Sequence, residues 1–228
     1  MDGTPDRRSP LRFRTTRTTI HALDSADGEA VAFVRDLLND PRVYKSYSDE
    51  GREPLTVGEI EDKYESDDSW FFVAQATGSD EFVGAVEIDH VDRRVGSAVF
   101  GLLVEPKYQD RGYGAEILAP VIDWLFETMR MHRVWTLIGE NADTDSITQI
   151  HGFEKEGVMR DADYIEGEYV DRHVVACLED DWAETKRRLA DYLSHFKPED
   201  AEYPRLPAES GDEVADGDAP ERATLHEE

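Results

Sequence analysis

Residues 102–114 read LLVEPKYQDRGYG, in which an apolar run gives way to a glycine-containing turn. The apolar run predicts a β-strand that ends before Pro106. Gly112 and Gly114 then open an amphipathic segment that continues to Arg130 with the apolar spacing of a helix. A strand that turns through glycines into a helix brings backbone N–H groups together at the positive end of the helix dipole. This arrangement is typical of a phosphate cradle.

Several well-known sites do not fit the chain. No Gly-Lys-Ser/Thr follows the glycines, which excludes a P-loop nucleotide hydrolase. Ile117 stands where a dinucleotide-binding fold needs its third glycine. The chain has no HExxH or other close histidine spacing and no Gly-x-Ser-x-Gly, so neither a metal site nor a serine hydrolase is expected. A different phosphate cradle and a purely structural strand–helix turn remain as alternatives.

The segments around this turn alternate between helical and strand periodicity. We predict a first strand near 18–23, helices over 29–38 and 57–65, strands over 70–75, 82–90 and 97–104, a long helix over 112–130, a strand over 134–138, a short helix over 144–151, strands over 153–164 and 169–178, and a helix over about 180–195. This order predicts an α/β fold with a mixed, mostly antiparallel central sheet flanked by helices, β-α-α-β-β-β-α-β-α-β-β plus a C-terminal helix.

The chain of 228 residues suits one α/β domain with flanking segments. We expect a disordered N-terminal arm over residues 1–16, a folded domain over 17–197 and an acidic disordered tail over 198–228, because both ends lack an apolar period. No long apolar run occurs, so we expect a cytoplasmic protein without a membrane span. The lone Cys177 predicts a buried core thiol and excludes a disulfide framework.

The chain is strongly acidic, with 52 Asp and Glu against 25 Lys and Arg and a formal net charge of −27. The tail over 198–228 holds only eleven of the acids, so the acidity is spread over the whole chain. Such a surface repels phosphodiester backbones, which argues against nucleic acid as the main partner. With 19 arginines to 6 lysines, it resembles the surfaces of proteins from salt-in halophiles. Recruitment of a cationic substrate is the alternative interpretation.

The turn and its surroundings resemble the GNAT superfamily of N-acetyltransferases. In that superfamily a Gln/Arg-x-x-Gly-x-Gly/Ala turn binds the pyrophosphate of acyl-CoA, and Gln109–Gly114 matches it. The resemblance covers about residues 17–182, and its last part looks most like the RimJ/RimL-type branch of ribosomal-protein N-terminal acetyltransferases. The other matching positions are Val104–Gln109, His132–Val134, Asn141, Gly152-Phe153, Glu156-Gly157, Arg160 and Ala162–Asp171.

The resemblance implies acetyl-CoA as co-substrate and no metal. The pyrophosphate is then expected on backbone N–H groups at the helix start, and the pantetheine arm along the backbone of the preceding strand. Asn141 matches the side chain that binds the pantetheine amides, and it also suits a helix cap. The implied acetyl-CoA contacts are Leu102, Leu103, Val104, Gln109, Arg111, Gly112, Tyr113, Gly114, Ala115 and Asn141.

Acetyl transfer to an amine needs a group that removes a proton and a donor for the leaving thiolate. The RimJ/RimL-type branch has a Ser three residues after the Asn and a carboxylate on the strand that follows Gly-Phe. Thr144 and Asp163 match these two positions, so the resemblance implies them as catalytic residues. Thr144 equally suits an N-cap, and Asp163 a hairpin position.

Two positions depart from patterns that are common in the superfamily. Thr148 replaces a tyrosine used by many members as the general acid, and Ala98 stands where a common general base lies. Glu87 and His90, on the second of the three consecutive strands, remain alternative bases that face the acceptor side.

These observations predict an N-acetyltransferase that moves an acetyl group from acetyl-CoA to a primary amine by direct attack in a ternary complex. The amine is expected to be a protein N-terminus or a small molecule. One alternative is a catalytically weak or inactive acyl-CoA-binding regulatory module of the same fold. Another is an acidic protein that binds partners through its tail. Neither nucleic acid nor a membrane is expected as a partner. The sequence leaves the oligomeric state open, with a monomer and a homodimer as the alternatives.

Overall fold

The computed structural model describes residues 11–44, 54–64, 69–139 and 152–195. The helices are α1 (Gly28–Asn39), α2 (Pro41–Tyr44), α3 (Val57–Tyr64), α4 (Tyr113–Glu127) and α5 (Glu179–Ser194). The strands are β1 (Arg12–Arg14), β2 (Thr18–Ala22), β3 (Trp70–Ala76), β4 (Phe82–Asp92), β5 (Ser97–Val104), β6 (Arg133–Gly139), β7 (Glu154–Ile165) and β8 (Glu168–Leu178). A single 3₁₀ turn, Pro106–Tyr108, joins β5 to the loop before α4. The short helix predicted over 144–151 lies outside the described residues.

The eight described strands form one sheet in the order β1-β2-β3-β4-β5-β6-β8-β7. All neighbouring pairs are antiparallel except β5 and β6, which run parallel and are joined by α4. The predicted mixed, mostly antiparallel sheet with flanking helices is therefore confirmed. No helix in the described part of the chain is both long enough and apolar enough to cross a bilayer.

The N-terminal segment differs from the sequence prediction. We expected no regular structure before residue 17, but residues 12–14 form β1, which pairs with β2 as an edge hairpin. The four-residue turn is closed by Thr15, whose backbone N–H donates to the Thr18 carbonyl over 2.9 Å. Phe13 packs against the core, with its ring 5.9 Å from that of Phe72. A strand of three residues is too short to show a hydrophobic period, so the sequence alone did not predict β1.

The sheet separates two apolar clusters. One face is covered by α4 and α5, with Ile117, Leu118 and Trp182 among the buried side chains. The other face is covered by α1 and α3, through residues such as Val34 and Ile60. Because side chains alternate along a strand, each sheet residue can be assigned to one of these two faces.

Short-range signals in the sequence explain where two of the helices begin. At α3, Thr56 and Glu59 form a capping box, with the Glu59 carboxylate accepting from the Thr56 backbone N–H over 2.7 Å. At α1, the Asp27 side chain accepts from the Ala30 N–H.

Cys177 is 1% exposed within the α4/α5 cluster, and burial raises the pKa of its thiol to about 12. The predicted core thiol is confirmed.

The two parallel strands separate partway along their length. β5 and β6 pair only at Ser97–Val99 and Arg133–Trp135, although both strands continue beyond these residues. From Phe100 to Val104, β5 has β4 on one side and no paired described strand on the other. This divergence leaves backbone N–H and C=O groups of β5 facing a gap in the sheet.

Gly152 provides a test of the packing between α5 and the start of β7. Its φ of +66° favours glycine, and a Cβ there would lie 1.9 Å from Oγ1 of Thr185, a residue buried in α5. We expect Gly152→Ala to lower the free energy of unfolding by about 3 kcal/mol or more, through overpacking and backbone strain. Gly28→Ala is the matched control, because nothing lies within 4 Å of its added methyl group. Equal urea midpoints for the two variants would contradict this packing.

Candidate active site

The loop between β5 and α4 has the backbone geometry expected of an anion-binding turn. Asp110 and Gly112 both have positive φ angles, 59° and 75°. Gly112 is the N-cap of α4 and supplies no side-chain hydrogen bond to the helix. The first N–H groups of α4 therefore lie at the positive end of the helix dipole without a side-chain cap from Gly112. These groups belong to the residues expected to hold a pyrophosphate, so the backbone present fits that group.

The side chains of this loop divide between structural contacts and exposure. Gln109 donates through Nε2 to the Val104 carbonyl over 3.0 Å, which ties the loop back to β5. Tyr113 is buried, with its ring 5.1 Å from that of Tyr108. Arg111 is exposed, as a residue must be to contact a phosphate from solvent. Contacts at Gln109 and Tyr113 therefore hold this loop on either side, while Arg111 between them is exposed to solvent.

Gly114 lies where α4 packs closely on β5. A Cβ at this position would lie 3.3 Å from Leu102 Cδ2 and 3.6 Å from Val104 Cγ2. The start of α4 therefore lies against residues 102–104 of β5, the part of this strand that faces the gap between β5 and β6. The loop therefore lies close to Leu102 and Val104. We expect this of a site in which the loop binds the pyrophosphate of CoA and the strand binds its pantetheine arm.

Asp163 forms an ion pair that the sequence did not reveal. Its carboxylate accepts from Nη2 of Arg172, whose side chain is 1% exposed. Arg172 lies opposite Gly139, the last residue of β6, where a Cβ would come within 3.3 Å of the guanidinium. Strand alternation places Arg172 on the same sheet face as α1 and α3, opposite to Val175 and Cys177. The pair is thus located beside the end of β6.

An irregularity in β7 brings Asp163 to this position. The register shifts between Met159 and Asp163, and Asp161 within the shift has a φ of +50°. The Asp171 carboxylate accepts from the Asp161 backbone N–H over 3.0 Å and holds the distorted segment. Bulges of this kind redirect a side chain. The sequence signal was present in Asp171 and Arg172, two charged residues in the middle of a predicted strand.

Glu87 is the buried acid of the α1/α3 face. It alternates with Ala85, which belongs to the cluster under α1 and α3, and it is 3% exposed. Its partner across the β4–β5 pair is Gly101, two residues beyond Val99, where β5 and β6 separate. Burial, and secondarily the charge of Asp89, raises the pKa of the Glu87 carboxyl to about 8. A carboxyl of this pKa can exchange a proton near neutral pH.

The other predicted positions fall into two groups. His90 has an exposed side chain beside Asp89 and a φ of +48°, in contrast to the buried Glu87. Asn141, Thr144 and Thr148 lie outside the described residues, and their roles stay predictions. Within the part of the chain that the structure describes, no group of three His, Cys, Asp or Glu side chains has the arrangement of a metal site.

Comparison with known proteins agrees with this geometry. Residues 17–154, more than half of the chain, match the acetyltransferase (GNAT) domain family. The chain therefore belongs to the GNAT family and is an acetyl-CoA-dependent N-acetyltransferase.

Two relatives from Escherichia coli show the range of similarity. Spermidine N(1)-acetyltransferase of strain K12 is 28% identical over 145 residues, which cover 62% of this chain and 76% of the relative. The ribosomal protein uS5-alanine N-acetyltransferase is 25% identical over 128 residues, or 55% of this chain and 66% of the relative.

Solved structures share the fold. A spermidine N-acetyltransferase from Vibrio cholerae, in complex with CoA and spermine, superposes with a TM-score of 0.65 over 73% of this chain and 98% of that one, at 20% identity. A ribosomal-protein-S5-alanine acetyltransferase from Vibrio fischeri gives a TM-score of 0.63 over 75% and 98%, at 18% identity.

The raised pKa of Glu87 makes the stability of the protein depend on pH. Unfolding returns the pKa from about 8 to the ordinary 4.5, so the folded state holds this proton more tightly. The contribution of Glu87 to stability is then fully present below about pH 4.5 and is lost as the pH rises through 8. We expect Glu87→Gln to be more stable than the wild type at pH 8.5 by about 2–4 kcal/mol and equal to it near pH 4.5. Urea unfolding at both pH values measures this, and a pH-independent difference would contradict it.

Proposed function

We propose that the protein transfers the acetyl group of acetyl-CoA to a primary amine by direct attack in a ternary complex. The acceptor is a small amine or a protein N-terminus, the two kinds of acceptor that the names of its relatives carry. The observation that carries the proposal is the open backbone turn at Gly112, which lies next to the gap between β5 and β6. Assignment to the RimJ/RimL-type branch and a cytoplasmic location are part of the same proposal.

On this proposal the binding groups are mainly backbone. The N–H groups of Arg111–Ala115 hold the pyrophosphate, and the exposed Arg111 side chain adds a charge-assisted contact. The edge of Leu102–Val104 that faces the gap hydrogen-bonds to the pantetheine arm, with Gln109 fixing the loop to that strand through the Val104 carbonyl. Asn141 binds the amides of the arm. Bound acetyl-CoA supplies the activated thioester carbonyl.

The acid–base roles are divided between two side chains, Glu87 and Thr144. Glu87 accepts the proton of the attacking amine, because it is buried beside the gap on the α1/α3 face and its pKa is near neutral. Thr144 donates a proton to the leaving thiolate. Asp163 is already engaged by Arg172, and this ion pair orients the acceptor rather than removing its proton. The assignment of Asp163 therefore moves from general base to acceptor binding.

Calorimetric titration of acetyl-CoA into the full chain tests the binding half of the proposal. We expect one molecule per chain with micromolar affinity, about −8 kcal/mol. An amine screen with mass-spectrometric detection of acetylated products then tests turnover, using polyamines and peptides with free N-termini as the two arms. Folded protein that binds no acetyl-CoA would overturn the whole proposal.

Asp163→Ala tests the role proposed for the ion pair with Arg172. We expect a raised KM for the amine and an unchanged CoA affinity, because the variant removes an acceptor-binding group and leaves the CoA loop intact. A catalytically weak acyl-CoA-binding regulatory module, the second candidate, would instead form little acetylated product with either chain and any amine.

The acidic composition is proposed to be an adaptation to high salt. At low ionic strength the net charge of −27 destabilises the folded state through self-repulsion, which salt screens within a few ångström at molar concentration. We expect the unfolding temperature to rise by about 10 °C or more between 0.1 and 2 M KCl, measured by circular dichroism. An unfolding temperature that is flat over this range would instead favour a role for the charge in attracting a cationic substrate.

A further inference from the structure

The turn of the N-terminal hairpin packs directly on the start of α4. Arg17, in this turn, is 2% exposed and donates from Nε to Oε2 of Glu116 over 2.7 Å. Its backbone N–H donates to the other carboxylate oxygen, which also accepts from the Thr15 hydroxyl. Both oxygens of a buried helix carboxylate are thus bound by one short turn of the chain.

The same guanidinium reaches the proposed phosphate loop. Nη1 of Arg17 donates to the backbone carbonyl of Arg111 over 3.1 Å. Its central carbon lies 4.2 Å from the centroid of the Tyr113 ring, in a cation–π contact. Arg111 and Tyr113 flank Gly112, so Arg17 contacts the residues on both sides of the left-handed residue that opens α4, through the Arg111 carbonyl and the Tyr113 ring.

Glu116 poses an electrostatic problem at this position. Its carboxylate is 1% exposed and belongs to the first turn of the helix whose N–H groups are proposed to bind a pyrophosphate. An uncompensated buried carboxylate there would repel an anionic ligand, because buried charges are poorly screened. Arg17 supplies the compensating positive charge from an element outside the helix.

We propose that Arg17 is a positioning residue for CoA: it fixes the backbone of residues 111–113 and neutralises Glu116, so that the loop accepts the pyrophosphate. The inference rests on the proposed function of the loop. It gives the N-terminal hairpin a role in cofactor binding, although no residue of the hairpin needs to touch the ligand. The effect is specific to the phosphate end of CoA, because Arg17 contacts the loop and α4.

The test compares two ligands that differ in the phosphate end, CoA and pantetheine. Dissociation constants are measured by calorimetry for CoA and by thermal-shift titration into the millimolar range for pantetheine. We expect Arg17→Met to raise the dissociation constant of CoA at least 10-fold and that of pantetheine less than 2-fold. Arg17→Met/Glu116→Gln removes the uncompensated charge, and we expect it to recover part of the CoA affinity.

Two further variants keep the result interpretable. Arg17→Lys retains the charge without the guanidinium fork, and we expect an intermediate CoA affinity if Arg17→Met does not fold. Arg133→Met is the matched control, since it breaks an Arg–Glu pair with Glu156 that touches neither the loop nor α4. We expect it to leave the affinity for CoA unchanged.

The outcomes separate this inference from the proposed function. Wild-type protein that binds no CoA defeats the proposed function itself. Wild-type binding with an unchanged CoA affinity in Arg17→Met and Arg17→Lys overturns the positioning role alone. Equal weakening of CoA and pantetheine also overturns it, since a general loss of structure would affect both ligands alike.

Discussion

Gly112→Val is expected to weaken CoA binding by about 100-fold or more while the protein remains folded. Gly112 has a φ of +75°, a conformation that a β-branched residue adopts only under strain. Relief of this strain rotates the peptide groups on either side of residue 112, and the N–H groups of the loop then no longer point to one place. Loss of about 3 kcal/mol of binding corresponds to this fold-change. Calorimetric titration with CoA measures it.

Gly78→Val is the matched control for backbone strain. Gly78 has a φ of +81° in the turn between β3 and β4, and nothing lies within 4 Å of a Cβ placed there. We expect the two variants to lose similar amounts of stability, and only Gly112→Val to lose CoA affinity. If both variants bind CoA as the wild type does, the turn at Gly112 is structural and the phosphate cradle is wrongly placed.

Glu87→Gln is expected to lower kcat by about 100-fold to 10,000-fold with the amine that reacts best in the screen, while CoA affinity stays within 2-fold. The amide has nearly the same shape as the carboxylate and cannot accept the proton of the amine. The wild-type rate is expected to rise with pH through the pKa of about 8, as Glu87 becomes ionised. In Glu87→Gln this rise is lost. Steady-state kinetics between pH 6 and 9.5 measure both effects.

The control and the competing assignments use the same assay. Glu168→Gln changes an exposed carboxylate on β8 and is expected to leave kcat and its pH profile unchanged. Asp163→Asn is expected to raise KM for the amine more than it lowers kcat, because it removes the partner of the buried Arg172. If the rise of the rate with pH is lost in Asp163→Asn and kept in Glu87→Gln, Asp163 and not Glu87 is the base.

Much of the architecture was predictable because its signals are local. The capping box of Thr56 and Glu59 and the strand–turn–helix around Gly112 each depend on residues that are close in sequence. The order of strands and helices follows from the same short-range patterns. The candidate phosphate loop follows from the same kind of evidence, since its geometry is set by glycines adjacent in sequence. The strand at residues 12–14 was missed because only its pairing with β2 defines it.

The candidate catalytic groups were less predictable, because burial and pairing join distant parts of the chain. Asp163 was found by resemblance, yet its contact with Arg172 depends on the register shift in β7. Glu87 was one acid among 52 in the sequence, and only its position under α1 and α3 raises its pKa. Nothing local in the sequence connects Arg17 with Glu116, which are 99 residues apart.

Sequence periodicity and glycine placement thus determined the elements, the type of fold and the position of the candidate phosphate loop, since these depend on backbone preferences over a few residues. The tertiary structure decided where β5 and β6 separate, which acid is buried beside that gap, and which arginines compensate Glu116 and Asp163. These properties depend on the distances and desolvation that arise only when remote segments pack together.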